Sequence, residues 1–202
     1  MQFDDVILGR RSIRGYKSDP VPKALIEEIL ALAMRAPSSM NTQPWNFYII
    51  SGEPLDRIRA GNTERNLAGV AKQLFSAMGI AREDKDARQD WVLRGFRQFD
   101  APVCVIVTYD RALADSDDTS FDCGAVTTAL VNAAWSRGLG AVINSQGIMQ
   151  SPVVREHAGI AEDQVIMKAI ALGWPDETFP ANEVVSERKT VEEATVFVGF
   201  DE

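Results

Sequence analysis

The sequence predicts an α+β fold in a single domain, and three observations support this prediction. The 202 residues are 46% apolar, which is sufficient for one domain with its own core. Apolar positions recur at helical spacing along most of the chain, whereas apolar runs typical of strands are few and scattered. Residues 1–202 contain no internal repeat and no clear linker, and the strands do not alternate regularly with helices. Helices layered against a small sheet are therefore expected.

The first third of the chain predicts three helices and one strand. Residues 3–8 have the apolar spacing of a short amphipathic helix. A second helix opens after Ser18–Pro22 and is ended by Pro37. Phe47–Ile50 is apolar and rich in β-forming residues, which predicts a strand, and Pro54–Ala60 predicts a helix.

The remainder of the chain contains the most strongly predicted strand. Ala101–Tyr109 is a near-continuous apolar run, as expected of a strand that is buried on both faces. Phe121–Leu139 is apolar or small nearly all round, so it predicts a helix buried in the core or in a subunit interface. The other predicted elements are a mostly helical region over 61–100, strands over Ala141–Ile143 and Gln164–Gly173, a helix over Pro152–Ala158, and Val196–Phe200 as a piece that could pair with a sheet edge.

Charge and hydropathy limit the location and partners of the chain. A formal charge of −8 makes nucleic acid an unexpected partner, and any small anion must be held by a local basic cluster. A membrane-spanning helix needs about 18 consecutive apolar residues, and the sequence has no such run. Because the acidic start Met1–Asp5 also differs from a secretory signal, a cytoplasmic protein without a membrane partner is expected.

Cysteine and histidine usage argues against several kinds of site. Cys104 and Cys123 lack metal-ligand spacing, so both are predicted to be core thiols. His157 is the only histidine and has no neighbouring nucleophile, so histidine-based catalysis and metal centres are not expected.

A basic cluster near the start of the chain suits a phosphate. Arg10, Ser12 and Arg14 alternate, so in an extended segment they could converge on one group, with Arg11 free to reach another. Guanidinium groups and a hydroxyl are suitable donors for phosphate oxygens. The alternative interpretation is a solvated basic patch, since charge runs usually serve solubility.

Pro37–Trp45 is a loop rich in hydroxyl and amide side chains. Such neutral donors and acceptors suit an uncharged heterocycle or a polyol, although an ordinary connection is the competing interpretation. Glycine-rich nucleotide motifs are missing, because Gly138-Leu139-Gly140 follows a helix and no GxxxxGK[ST] run occurs. A bound phosphate would therefore be held by side chains.

Three stretches, in this order and at this spacing, resemble the FMN-dependent nitroreductase family. They are Arg10–Arg14, Ala36–Trp45 and Arg188–Lys189. Two further stretches, Ala60–Arg65 and Ile143–Met149, resemble the nitrobenzoate-reductase branch.

The resemblance implies a central, mostly antiparallel sheet flanked by helices, in an intertwined homodimer with FMN at the subunit interface. In one subunit, the phosphate and ribityl end would be held by Arg10, Arg11, Ser12, Arg14 and Arg188. The other subunit would contribute Pro37, Ser38, Ser39 and Asn41. Gln146 and Gly147 would face the isoalloxazine edge, with a backbone N–H near flavin N5.

The implied activity is reduction of nitroaromatic compounds, nitrobenzoates among them, at the expense of NAD(P)H. Hydride would pass through flavin N5 in a ping-pong cycle, without a catalytic side chain. Arg14 or another basic group would stabilise the anionic reduced flavin. Alternatives are quinone, enone or halophenol reduction on the same fold, a non-catalytic flavin-binding protein, and a structural dimer without flavin.

Two positions depart from the family pattern. Ser186 stands where a lysine is frequent, so the phosphate would depend more on Arg10 and Arg14. The segment Arg65–Leu74 is shorter than expected, and it is where the family usually adds flavin contacts and a lid over the substrate.

Overall fold

A four-stranded antiparallel sheet lies at the centre of the fold. The structure is a computed structural model and describes residues 1–66 and 84–199. The strands are β1 Trp45–Ser51, β2 Val103–Asp110, β3 Gly140–Asn144 and β4 Gln164–Gly173. They pair in the order β1-β2-β4-β3, and every pair is antiparallel. The predicted α+β class and antiparallel sheet are confirmed.

Helices cover both faces of this sheet. In chain order they are α1 Phe3–Gly9, α2 Lys23–Ala33, α3 Gly52–Asn66, α4 Lys85–Phe96, α5 Asp117–Ser136, α6 Ser151–Ala158 and α7 Val191–Ala194. Helices α2 and α5 pack on one face, and α3 and α6 pack on the other. The sheet is therefore the middle of three layers.

Strand β2 joins the two cores, as its sequence predicts. Val105 and Val107 point into the core beneath α2 and α5, whereas Cys104 and Ile106 point into the core beneath α3 and α6. All four are at most 1% exposed. An apolar run without alternation is what burial on both faces requires.

Several elements differ from their predicted bounds. Helix α2 ends at Ala33, four residues before Pro37, and α3 continues to Asn66 rather than ending at Ala60. Within this chain residues 196–199 form no strand, so the pairing of Val196–Phe200 with a sheet edge stays a prediction. The outer edge of β3 is instead taken by Ser12, which forms a bridge to Ala141.

Part of the predicted short segment Arg65–Leu74 lies outside the described residues, and so does Phe200. None of the helices in the described ranges is long and apolar enough to cross a membrane.

Candidate functional site

Three arginine side chains from the two ends of the chain line one cavity. Arg10 and Arg11 follow the end of α1, and Arg188 comes from the segment before α7. The cavity has a volume of about 430 Å³, and Thr128 and Asn132 of α5 form part of its wall. We call it the arginine cavity.

The positive charge in this cavity is not neutralised by any carboxylate of the described residues. Over residues 1–66 and 84–199, none of the three guanidinium groups has a carboxylate within 4.0 Å. Arg11 donates from Nε to the backbone oxygen of Asn182 at 2.7 Å, and its guanidinium carbon lies 5.7 Å from the ring centre of Trp135. Arg188 donates from Nη1 to Ser186 Oγ at 2.7 Å. In a chain of net charge −8, three such cations form a site suited to an anion.

A second cavity lies at the other end of the Arg10–Arg14 segment. Arg14 and Gln146 line it together with Trp91, Phe99 and residues 142–145, and its volume is about 330 Å³. We call it the aromatic cavity. Its apolar and aromatic walls, with one guanidinium and amide groups, suit a planar polar ring.

The predicted convergence of Arg10, Ser12 and Arg14 on one group is wrong. Adjacent residues Arg10 and Arg11 share the arginine cavity, whereas Arg14 lines the aromatic cavity. The reason is that the segment is not a regular strand. Its backbone pairs with β3 through the Ser12–Ala141 bridge and through Ile13 N, which donates to Ala141 O at 3.1 Å.

Asn182 fixes the backbone of this arginine segment. Its Oδ1 accepts from Arg14 N at 2.6 Å and from Gly15 N at 3.2 Å, and its Nδ2 donates to Gly15 O at 2.8 Å and to Asp176 O at 2.9 Å. The residue is 5% exposed. One buried carboxamide thus ties the start of the chain to the segment after β4.

The same segment supports the wall of the aromatic cavity. The ring of Phe179 lies against Gly15, where a Cβ would overlap it. Phe179 also stacks on Trp91 at a centroid distance of 6.1 Å, and the Arg94 guanidinium lies 4.6 Å from its ring centre. The ring of Phe179 therefore contacts both the arginine segment, at Gly15, and helix α4, at Trp91 and Arg94.

Gln146 and Gly147 lie in a 3₁₀ turn, Gln146–Ile148, directly after β3. Gln146 lines the aromatic cavity, whereas Gly147 is buried behind it. The oxygen of Gly147 accepts from Asn62 Nδ2 at 3.1 Å and from Gln98 Nε2 at 3.0 Å. Gln146 thus lies at the cavity wall with its amide against Gly95 of α4, and Gly147 anchors the turn.

Gln98, Phe99 and Asp100 all have left-handed backbone angles, with φ of 59°, 54° and 57°. This conformation costs non-glycine residues about 1–2 kcal/mol each. The turn buries Gln98 completely and places Phe99 at the cavity wall.

The loop predicted to contact a ring does not line the arginine cavity of its own chain. Pro37 lines a third, mostly apolar groove of about 610 Å³ between α1, α2 and α5. Ser39 N donates to the buried Asp122 at 3.0 Å, and Ser38 Oγ accepts from Gln43 N at 3.0 Å. Asn41 has φ of 58°, in the left-handed region.

Both cysteines are buried, as the sequence predicts. Cys104 and Cys123 are free thiols in the core. Burial raises the pKa of Cys104 to about 12 and that of Cys123 to about 11, so both are protonated at neutral pH. His157 lies on α6, and the described residues contain no cluster of potential metal ligands.

Known proteins share both the sequence and the fold. The sequence model of the Nitroreductase family matches residues 7–174. The chain is 35% identical to a nitrobenzene nitroreductase of Ectopseudomonas oleovorans, over 97% of this chain and 96% of that protein.

This chain belongs to the nitroreductase family. A 4-nitrobenzoate reductase of Nocardioides sp. (strain LMS-CY) is 29% identical, over 99% of this chain and 91% of that protein. The crystal structure of the FMN and NADPH-dependent nitroreductase NfnB from Sphigopyxis sp. strain HMH superposes with a TM-score of 0.89 at 24% identity, covering 99% of this chain and all of that one. The sequence-based family assignment is confirmed, and the architecture is the nitroreductase fold.

The comparison also bears on the length of the chain. The alignment with the Ectopseudomonas nitroreductase spans 222 positions, more than the 202 residues present here. That family member therefore contains residues without a counterpart in this chain.

Sequence reasoning missed the residues that support the site from behind. Asn182, Gln98 and Asn144 are neutral carboxamides that are at most 5% exposed. Their partners lie between 2 and 168 positions away along the chain. The one available signal was the presence of polar residues within apolar surroundings.

Proposed function

We propose that this chain is an FMN-dependent oxidoreductase that uses NAD(P)H to reduce nitroaromatic compounds. The observation that carries the proposal is the arginine cavity, where three guanidinium groups lack carboxylate partners in the described residues. The dianionic phosphate of FMN would complete that charge balance.

The arrangement of the two cavities fits an elongated ligand with one anionic end and one planar end. Arg11 lines the arginine cavity and Arg14 lines the aromatic cavity. Three residues along the chain separate their Cα atoms by at most about 10 Å. FMN has its phosphate and its ring at opposite ends of a ribityl chain, so the donor set and the spacing fit this cofactor.

Each candidate residue has a proposed role toward FMN. Arg10, Arg11 and Arg188 bind the phosphate, and Ser12 serves the adjoining ribityl end. Arg14 provides positive charge at the ring, where Gln146 and Gly147 form the facing turn. The loop residues that a second subunit would contribute are Pro37, Ser38, Ser39 and Asn41.

When bound, FMN would accept hydride from NAD(P)H and deliver it to the acceptor. The described residues contribute binding, orientation and charge. The Arg14 guanidinium favours negative charge that develops in the aromatic cavity, and the rings of Trp91 and Phe99 limit access of water.

The proposed assembly is a homodimer with the cofactor between subunits. Large apolar side chains of α1 and of the C-terminal segment lie on the surface, for example Leu8 at 84% and Val196 at 86% exposed. The apolar groove at Pro37 adjoins the arginine cavity, because Thr128 and Asn132 of α5 line both. A second copy packed along α5 would cover these surfaces and bring its Pro37–Trp45 loop to the arginines. Because the reductant is NAD(P)H, the proposed location is the cytoplasm.

The decisive experiment combines a spectrum with an assay of the purified protein. We expect flavin absorption bands, release of FMN on denaturation, and NAD(P)H oxidation that depends on a nitroaromatic acceptor. Flavin without NAD(P)H oxidation would support a flavin-binding protein instead, and a colourless protein that binds no added FMN would contradict the proposal.

The choice of acceptors tests the substrate class. The chain shares 35% identity with a relative named for nitrobenzene, and 29% with one named for 4-nitrobenzoate, so both compounds are included. A quinone and an iodophenol test the alternative reductions on the same fold. We expect the highest kcat/KM with a nitroaromatic compound.

A further inference from the structure

A network of buried carboxamides lies behind the turn Gln146–Ile148 at the wall of the aromatic cavity. Gln98 is 0% exposed and Asn144 is 4% exposed. Gln98 donates from Nε2 to Gly147 O at 3.0 Å and accepts at Oε1 from Asn144 Nδ2 at 3.0 Å. Both functional atoms of the Gln98 amide are therefore bonded.

Asn144 connects this network to the residue that faces the cavity. Its Oδ1 accepts from Gln146 N at 3.0 Å, and its Nδ2 also donates to Gly95 O of α4 at 2.6 Å. Asn144 is the last residue of β3, so the turn that follows the strand starts from a position fixed on both sides. The direction of the Gln146 peptide is thus set by a buried side chain.

The packing leaves little room for the turn to move. A Cβ on Gly147 would overlap the Gln98 amide, and a Cβ on Gly95 would overlap the Gln146 amide. A polar network that is bonded in this way inside a low-dielectric core favours one arrangement of its members.

The backbone of Gln98 supports the same interpretation. Gln98 begins three successive left-handed residues, none of them glycine, and the next residue, Phe99, lines the aromatic cavity. Such a conformation persists only where the surrounding structure determines it strongly, and it is concentrated at functional sites. The turn therefore buries Gln98 inside the protein and places the ring of Phe99 at the wall of the aromatic cavity.

We infer that Gln98 and Asn144 are positioning residues for the bound flavin, because they fix the turn Gln146–Ile148 against which the ring would lie. This inference rests on the proposed function. Neither residue lies in the resemblance-based set of cofactor ligands. Gln98 acts through the turn, and Asn144, itself at the cavity wall, acts through its hydrogen bond from Gln146 N. The expected consequence of loosening them is weaker FMN binding and a changed flavin midpoint potential, beyond any loss of stability.

The test compares Gln98→Met with Thr108→Val. Methionine keeps the length of the side chain and removes both hydrogen bonds of Gln98. Thr108 is also 0% exposed, and Thr108→Val removes its 2.8 Å hydrogen bond to Gln164 in β4, on a residue outside both cavities. Both variants therefore lose buried hydrogen bonding, but only one lies behind the flavin.

Three measurements distinguish positioning from a general structural role. They are the FMN dissociation constant, the flavin midpoint potential, and amide hydrogen exchange of residues 146–149 in the protein without FMN. We expect Gln98→Met to weaken FMN binding about tenfold, to shift the potential and to speed exchange of the turn, whereas Thr108→Val lowers only the melting temperature. The inference would be overturned if Gln98→Met and Thr108→Val had equal melting temperatures and Gln98→Met had the FMN binding and flavin potential of the parent.

Gln98→Glu keeps the experiment decisive if the methionine variant does not fold. A protonated carboxyl can still donate to Gly147 O, but a carboxylate cannot, and burial raises the pKa of a carboxyl group. FMN affinity of this variant should therefore approach that of the parent at low pH and fall as pH rises. If FMN affinity of the variant depends on pH in the same way as that of the parent, the inference is contradicted. Failure of the parent itself to bind FMN would instead contradict the proposed function.

Discussion

The two ends of the candidate site are built on different physical principles. The arginine cavity uses charged side chains from segments next to both chain termini, and one of them, Arg188, is exposed. The aromatic cavity is backed by neutral amides that are buried and bonded to each other. Capture of an anion needs charge within reach, whereas orientation of a ring needs a wall that does not move.

Removal of two arginines should have the largest effect. A hydrogen bond to a charged group contributes about 1.5–3 kcal/mol, so Arg10→Ala with Arg188→Ala should weaken FMN binding about 10²- to 10⁴-fold. Fluorescence titration of the protein with FMN measures this loss. The fold should persist, because neither side chain is in the core.

A control variant that loses the same charge elsewhere separates the effect of local contacts on FMN affinity from the effect of the net charge of the protein. Arg57→Ala with Arg137→Ala removes the same charge from exposed ion pairs with Glu53 and Glu28, outside both cavities. Its FMN affinity should stay within about twofold of the parent, as expected of weak surface pairs. A yellow, fully loaded Arg10→Ala, Arg188→Ala protein would refute the phosphate assignment.

Asn182→Ala should destabilise the protein, because Asn182 holds the backbone of the arginine segment. The change deletes four hydrogen bonds and leaves Gly15 N without its acceptor, which should cost about 2–4 kcal/mol in the free energy of unfolding. Urea denaturation measures it. Asn46→Ala, which loses one exposed amide bond to Gln164, should cost at most about 0.5 kcal/mol. Equal losses of unfolding free energy in the two variants would show that Asn182 does not fix the arginine segment.

Gly147→Ala should destabilise the protein by overpacking the turn beside the aromatic cavity. The new methyl group would overlap the Gln98 amide, and such insertions cost about 1–3 kcal/mol. Gln98→Ala makes space, so the double variant should be less destabilised than the sum of the two single changes. Thermal or urea unfolding of the four proteins gives the coupling. Strict additivity would mean that the two residues do not compete for this space.

The smallest expected effect is the pH response of the Asp176 turn, which helps to hold the arginine segment. Hydrogen bonds from Thr178 Oγ1 at 2.7 Å and Thr178 N at 2.9 Å lower the pKa of Asp176. Its folded-state pKa lies below the unfolded value of about 3.9. Its contribution is therefore complete above that pH and is lost as pH falls through the folded value. Urea midpoints between pH 5 and 3 should fall less in Asp176→Asn than in the parent.

The fold was largely predictable because its main elements have strong local signals. Strand β2 has a long apolar run, and α5 is apolar or small over most of its length. Strand β4 was predicted with the bounds that the structure shows, Gln164–Gly173. The strand order was not predictable from such patterns, because it depends on packing between distant segments.

Residue chemistry alone predicted only the charged half of the site, and Gln146 at the ring end was indicated by the family resemblance. A run of arginines is visible as a chemical signal in the sequence, but the segment that directs Arg11 and Arg14 into different cavities is 168 or more residues away. Gln98-Phe99-Asp100 also contains no glycine, so nothing local predicts its left-handed turn. Tertiary contacts decide both features.

The pairing of Ser12 with β3 has a consequence for solubility. Strand β3 is an outer strand of the sheet, and unpaired strand edges are templates for aggregation. The bridge from Ser12 to Ala141 and the Ile13 hydrogen bond cover part of that edge. The segment that presents the arginines therefore also shields the sheet, and changes that detach it would expose backbone able to recruit other chains.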